Sequence, residues 1–377
     1  MRVPFRWMIE LWLKLINNEE RDSIMHTNIT TLLKLIEGSK LLNCNHPETS
    51  EVNQVLPLAA ESDKFISFVS SKAFVKEAKN SKATVLVVNE ELAESLPGKP
   101  LLIVPHVELA LIEILLHFFP TEVSNGIRSP HSIIDPSAKI GKNTQIGHFV
   151  TIGENVVIGE NCIISDGVKI ERDVKIGNDS KIGMNCVIFH GTQIGERFTS
   201  FGNSTFGGDG FGFTFLNGKH HKLPQIGRVV IGDDVEFGSN CTIDRGALTD
   251  TVVGNGCKFD NMVHIAHNCK VGDHVIIAGQ SGLAGSVTLG NYVIIGGACA
   301  ISDHITLVEG TIIAGGTSLR TSPKTKDVYI GWDLGLNYPD FQKYRVNIKN
   351  LVNLNKWIKR IKDIEKKVGM EVEENKE

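Results

Sequence analysis

The chain has 377 residues, 41% of them hydrophobic and 22% charged, with a formal net charge of −4. That length allows two or three domains, the composition excludes a fibre or a disordered chain, and the charge excludes a molecule-wide nucleic-acid footprint, so no nucleic-acid partner is expected. The seven cysteines (Cys44, Cys162, Cys186, Cys241, Cys257, Cys269 and Cys299) are odd in number and never spaced as CxxC. They read as small packing residues of a protein kept in a reducing, cytoplasmic compartment, with no disulfide framework, no metal site and no cofactor.

Residues 1–25 read as an extension. The run Trp7 to Ile16 carries Glu10 and Lys14, is too short to span a bilayer and lacks a small-residue cleavage site. It fits a dispensable segment upstream of Met25, an ordinary amphipathic helix or a membrane-surface helix. No transmembrane segment is expected.

Residues 26–128 mix helical stretches (Thr31 to Glu37, Leu109 to Phe119) with strand-like runs (Phe65 to Ser70, Ala83 to Val88), which predicts a small α/β domain ending near a linker from Pro120 to Ser132.

From Ile134 an isoleucine recurs at every sixth residue, through Ile140, Ile146, Ile152, Ile158, Ile164, Ile170, Ile176, Ile182 and Ile188 to Ile194. The phase is lost across Thr199 to Gln225, resumes at Ile231, Phe237 and Ile243, slips by four residues, and runs on from Val253 to Ile313. A period of six suits short parallel strands joined by tight corners, with one aliphatic per hexapeptide pointing inward and Gly or Asn supplying positive φ. Three hexapeptides close one coil, so residues eighteen apart stack and aliphatic ladders fill the interior. The fold class predicted for residues 129–322 is therefore mainly β, a left-handed parallel β-helix whose function sits on its outside.

The segment Phe201 to Gln225, with Gly207-Gly208-Asp209-Gly210-Phe211-Gly212-Phe213 and His220-His221-Lys222, is too long and aromatic for a corner, and long loops on rigid scaffolds usually carry function. Residues 323–377 read as a C-terminal helical segment. Its run Phe341 to Val368 has helical spacing and many lysines and arginines, which predicts a basic amphipathic helix, either a solvated face or a docking surface for an acidic protein.

Histidine is the natural base near neutral pH. His267 stands two residues after the inward Ile265, a position that faces outward. Gly285 lies one coil further, where stacking brings its backbone N–H near that base. His304 follows His267 by two coils and one position, too far for a direct hydrogen bond.

Four motifs are more specific than the repeat: Gly210-Phe211-Gly212-Phe213, Lys222-Leu223-Pro224-Gln225-Ile226-Gly227, Thr242-Ile243-Asp244-Arg245-Gly246-Ala247-Leu248, and Ile265-Ala266-His267-Asn268. Together they closely resemble the LpxD family, the UDP-3-O-acylglucosamine N-acyltransferases of lipid A biosynthesis. The resemblance runs from about residue 28 to the C-terminal helix.

It implies transfer of a 3-hydroxyacyl chain from acyl carrier protein to the 2-amine of a UDP-sugar acceptor by a homotrimer with sites between subunits. It also implies His267 as general base, Asp260 as the acid that holds its imidazole, Gly285 as oxyanion donor, and Asn268 and His304 as substrate contacts. In the N-terminal domain the resemblance gives Phe68 the role of stacking on uracil. Ser71 and Phe74 stand where the family has Asn and Tyr, so a hydrogen bond or two to the nucleotide is expected to be missing.

Small residues in Ala314 to Leu319 imply a deeper groove and a longer acyl chain. Rival readings are a UDP-N-acetylglucosamine O-acyltransferase-like enzyme, a zinc carbonic anhydrase of the same fold, and a non-catalytic scaffold.

Overall fold

The structure is a computed structural model that describes residues 27–331 and 336–368. The expectations for the first 24 residues fall outside the described residues. The chain divides into two compact units, the first ending at Glu122.

The first unit is an α/β sandwich. Its five-stranded sheet has the order Lys40–Leu42, Leu101–Ile103, Val85–Val88, Phe65–Phe68, Gln54–Val55, the first strand antiparallel and the others parallel. Alternate residues of the strands face opposite layers, as strand geometry requires. Ile66, Val85, Val87 and Leu102 pack on the helices Ile29–Leu35 and Val107–Phe118, whereas Leu86, Val88 and Leu101 pack with Ala78 and Leu92 of two shorter helices.

The second unit is a parallel β-helix. Short strands, most of them two residues long and ending on the inward aliphatic, stack into three faces. The first face is ten-stranded and runs through Ile134, Ile152, Ile170, Ile188, Phe206, Ile243, Ile265, Leu283, Ile301 and Leu319. The second is nine-stranded, from Ile140 to Leu307. The third is eleven-stranded, from Ile146 through Phe259 to Ile313 and two closing strands.

Each inward residue pairs with the one eighteen positions on wherever the repeat is regular, as in Ile152↔Ile170 and Ile265↔Leu283. These ladders are almost wholly buried. Corners carry the left-handed backbone that Asn and Asp tolerate best, for example Asn161 at φ 57° and Asp179 at φ 58°. Six of the cysteines line the interior beside these corners and are buried, so their thiols are pushed up, Cys257 to about 11 and Cys269 to about 12, by loss of solvent.

The repeat outlasts its isoleucine signal. Thr199–Ser200 and Thr205–Asp209 are still coil strands, with Ser200 and Phe206 at the inward positions. The missing bulk at Ser200 is supplied by Phe198, Phe206 and Phe237, packed edge-on and tilted with centroids 5.4–6.0 Å apart. The excursion proper begins after Phe206, and part of it is a hairpin, Phe213–Leu216 with Lys219–Lys222.

The basic C-terminal run is not one continuous helix. Tyr338–Asn347 and Leu354–Val368 are α-helical and a 3-10 segment, Ile348–Asn353, joins them.

Candidate active site on one edge of the β-helix

The edge between the first and second faces gathers most of the residues expected to do chemistry. On the coil that begins with Ile265, the chain turns through Ala266, His267 and Asn268, the last at φ 62°. Asn268 is held from three sides. Its backbone N–H donates to Thr251 Oγ1 at 2.8 Å, and its Nδ2 donates to Thr249 O and Oγ1 at 3.2 and 3.0 Å.

That use of Nδ2 fixes which end of the amide faces the other way. Oδ1 accepts from the Ala247 N–H at 3.1 Å and stands 3.1 Å from His267 Nδ1. An oxygen there can only accept, so in the neutral ring Nδ1 carries the proton and Nε2 keeps its lone pair. Among the described residues nothing bonds Nε2.

Two glycines wall the imidazole. A Cβ at Gly285 would sit 2.5 Å from Cε1 and 2.8 Å from Nε2; one at Gly210 would sit 2.6 Å from His267 Cβ and 3.0 Å from Cγ and Cδ2. Neither position has room for a side chain. The backbone continues the stack, with Ser286 N–H donating to His267 O at 2.9 Å and His304 N–H to Gly285 O at 3.1 Å. Among the described residues the Gly285 N–H has no acceptor. A backbone N–H left free in this way is the kind of group that can donate to a developing oxyanion.

The expectation for Asp260 is not met within one chain. Asp260 turns the edge between the third and first faces, a different corner of the coil, and its carboxylate is occupied locally. Oδ1 accepts from the Asn261 N–H and Nδ2 at 2.7 and 2.9 Å, and Oδ2 from the Gly279 N–H at 3.1 Å. The group that holds the ring is Asn268.

The nearby acid is Asp244, two-residue neighbour of the tight Gly246 turn. Burial raises its carboxyl above the ordinary range, against the opposing pull of His264 and His267 and with a further push from Asp209. His264 lies beside it, Nε2 to Oδ2 at 3.8 Å, with its Nδ1 2.7 Å from Thr242 Oγ1.

Asp244, Gly210 and Arg245 stand in the motifs quoted from the sequence but were given no role there. The signal was there, because Arg245 stands two residues after inward Ile243, the same offset that His267 has from Ile265.

His304 is exposed on the same edge at φ 58°. Along Ala314 to Leu319, Thr317 and Leu319 are buried, which leaves Ala314, Gly315, Gly316 and Ser318 toward solvent.

The nucleotide-binding candidates lie in the first unit. Phe68 ends a parallel strand and is half-buried against the layer of the two longer helices; Phe74, also half-buried, packs with the opposite layer. Ser71 is exposed between them, at the head of a 3-10 turn.

Models of the bacterial transferase hexapeptide match residues 137–172 and 250–285, and those of the hexapeptide repeat of succinyl-transferase match 173–199 and 228–261. A UDP-3-O-acylglucosamine N-acyltransferase of Leptospira biflexa is 75% identical over 320 residues, 85% of this chain and 90% of its own length. The chain belongs to the UDP-3-O-acylglucosamine N-acyltransferase family.

More distant relatives of the same name are those of Coxiella burnetii, 38% identical over 63% of this chain and 69% of theirs, and of Neisseria gonorrhoeae, 44% identical over 64% and 70%. A solved UDP-N-acetylglucosamine acyltransferase from Campylobacter jejuni aligns with 55% of this chain and 72% of its own, at 24% identity and a TM-score of 0.43. As a member of this family the protein is an acyltransferase with a hexapeptide-repeat β-helix. Among the described residues no helix is long and apolar enough to cross a membrane.

Proposed function

We propose that this acyltransferase moves a 3-hydroxyacyl chain from acyl carrier protein to the 2-amine of UDP-3-O-acylglucosamine in lipid A biosynthesis, with His267 as general base. The observation that carries the reading is the tautomer that Asn268 sets in the neutral His267 ring, with the lone pair on Nε2, beside Gly285, whose backbone N–H has no acceptor among the described residues. An amine attacking a thioester carbonyl must lose a proton as the tetrahedral intermediate forms. Nε2 takes that proton, and the Gly285 N–H donates to the oxyanion. Collapse breaks the C–S bond, and the imidazolium returns the proton to the departing pantetheine thiolate. The Asp244 carboxylate favours the imidazolium through the field between them.

The remaining roles extend this reading. His304 contacts substrate or the pantetheine arm, and Phe68, Ser71 and Phe74 hold the uridine with fewer hydrogen bonds than an Asn and a Tyr would give. The exposed Gly315 and Gly316, with the half-buried Ala314 and Ser318, admit a longer acyl chain. The protein works in the cytoplasm as a homotrimer. In that assembly a partner subunit can supply the carboxylate that Asp260 does not supply within its own chain.

The test is incubation of the full chain with 3-hydroxyacyl carrier protein of several chain lengths and UDP-3-O-acylglucosamine, followed by mass spectrometry of the product. A base-stable amide supports the reading. No transfer with any chain length would overturn it.

A further inference from the structure

One step along the same edge from His267, the chain buries a cation that the proposed chemistry does not use. The side chain of Arg245 is only 3% exposed. Its Nε donates to Gly207 O at 2.7 Å, its Nη2 to His190 O at 2.9 Å, and its Nη1 lies 2.6 Å from His190 Nε2. A guanidinium can only donate, so Nε2 of His190 accepts and its proton is on Nδ1, which donates to Glu171 Oε2 at 2.8 Å. The same carboxylate oxygen accepts the His190 backbone N–H at 3.0 Å. Glu171, His190 and Arg245 therefore form one directed chain along a single edge, with the coil of Phe206 between His190 and Arg245.

What the chain of bonds holds is the start of the excursion after Phe206. Arg245 reaches Gly207 directly and Asp209 at 3.9 Å, and Asp209 pairs in turn with Lys222 on the returning strand of the hairpin. Gly210 follows Asp209 and packs so closely on His267 that an added Cβ would collide with it. Burying a guanidinium costs several kcal/mol unless its donors are met, and here they are met by His190 and by Gly207, the first residue of the segment that walls the ring.

We infer that Glu171, His190 and Arg245 are positioning residues that fix the 207–210 segment, and through Gly210 the orientation of His267. This inference rests on the reading of His267 as the base, but its structural half can be read without any acyl transfer. Loosening the segment leaves substrate-binding groups in place and disturbs the geometry of the reacting ring, where a displacement near 1 Å can cost about a hundredfold in rate.

The experiment uses the full chain with Arg245→Lys, which keeps the charge and loses the fork, and Glu171→Gln, which alters only the half-exposed outer end of the chain. Two quantities are measured: kcat and KM for the acceptor, and the rate at which diethyl pyrocarbonate modifies His267, followed by peptide mass spectrometry. Expected for Arg245→Lys are a kcat lower by about ten- to a hundredfold with KM within about threefold of the parent, and modification of His267 that is several-fold faster. Glu171→Gln should show the same pattern more weakly, with an unchanged melting temperature.

Unchanged His267 modification in Glu171→Gln, or a kcat loss in both variants that only follows a lowered melting temperature, would overturn the inference. If the parent protein transfers no acyl group while the modification rates change as expected, the relay stands and the proposed reaction falls.

Discussion

The coils before Thr199 and those after Val229 share one backbone plan and differ along one edge. In the first half, the positions two and three residues after the inward aliphatic of the first face are Pro136 and Ser137, Glu154 and Asn155, then Arg172 and Asp173, ordinary corner residues in water, and only on the last of these coils do they become His190 and Gly191, where the contacts to Arg245 begin. In the second half the same positions hold Arg245 and Gly246, His267 and Asn268, Gly285 and Ser286, then Asp303 and His304. The ladders behind them are equally buried. A repeat that specifies its fold from inside leaves its outside free, and one edge of a few coils is enough to make an active site.

The largest contrast is expected at the glycine that faces Nε2. Gly285→Ala should lower kcat by about a hundredfold, because its Cβ would fall 2.5 Å from His267 Cε1, with a circular dichroism spectrum like that of the parent. Parent-like turnover would show that the edge tolerates a side chain and that the wall is incidental.

A matched pair of core truncations tests the other half of the comparison. Ile176→Ala and Ile265→Ala each remove a buried ladder residue and should each cost about 2–5 kcal/mol in urea unfolding. Only Ile265→Ala should also reduce turnover at temperatures where both remain folded. Equal losses of turnover would mean that the active edge depends on the whole β-helix.

Asp244 offers a smaller effect with a defined sign. Burial raises its carboxyl, so its contribution to stability is full below the pKa of the unfolded carboxyl, about 3.9, and is lost as pH rises through the higher folded value. Asp244→Asn should hold or raise the melting temperature at pH 7 by about 1–3 °C, a gain that vanishes near about pH 3. Turnover should fall about tenfold, since the imidazolium loses its countercharge. A lower melting temperature at pH 7 would show that the carboxylate stabilises the fold.

The smallest effect concerns the cysteines. In the native protein at about pH 8, where an ordinary exposed thiol is partly ionised, only the half-buried Cys44 should react with a thiol reagent within minutes. The six buried thiols should react only on unfolding. Prompt reaction of Cys269, pushed up to about 12, would show that the coils open locally.

The fold was legible because the inward aliphatic recurs with a fixed period, and His267, Gly285 and His304 fall on one edge once that period is counted. Three features were not legible. The repeat seemed to stop at Thr199 because Ser200 and Phe206 replaced isoleucine, and only packing shows that three phenylalanines fill the gap. The acid was assigned to Asp260 by resemblance alone, whereas position along the coil puts Asp260 at another corner and Asn268 next to the ring. Gly210 was hidden for a different reason, since an excursion without periodicity carries no register from which its contact with His267 could be counted.

The account depends most directly on His267, and the deciding measurement is the initial rate of 3-hydroxyacyl transfer from acyl carrier protein to UDP-3-O-acylglucosamine by the parent and by His267→Ala. An active parent and a variant slower by about a hundredfold or more, with an unchanged melting temperature, are expected. A folded His267→Ala protein that turns over at close to the parental rate would contradict it.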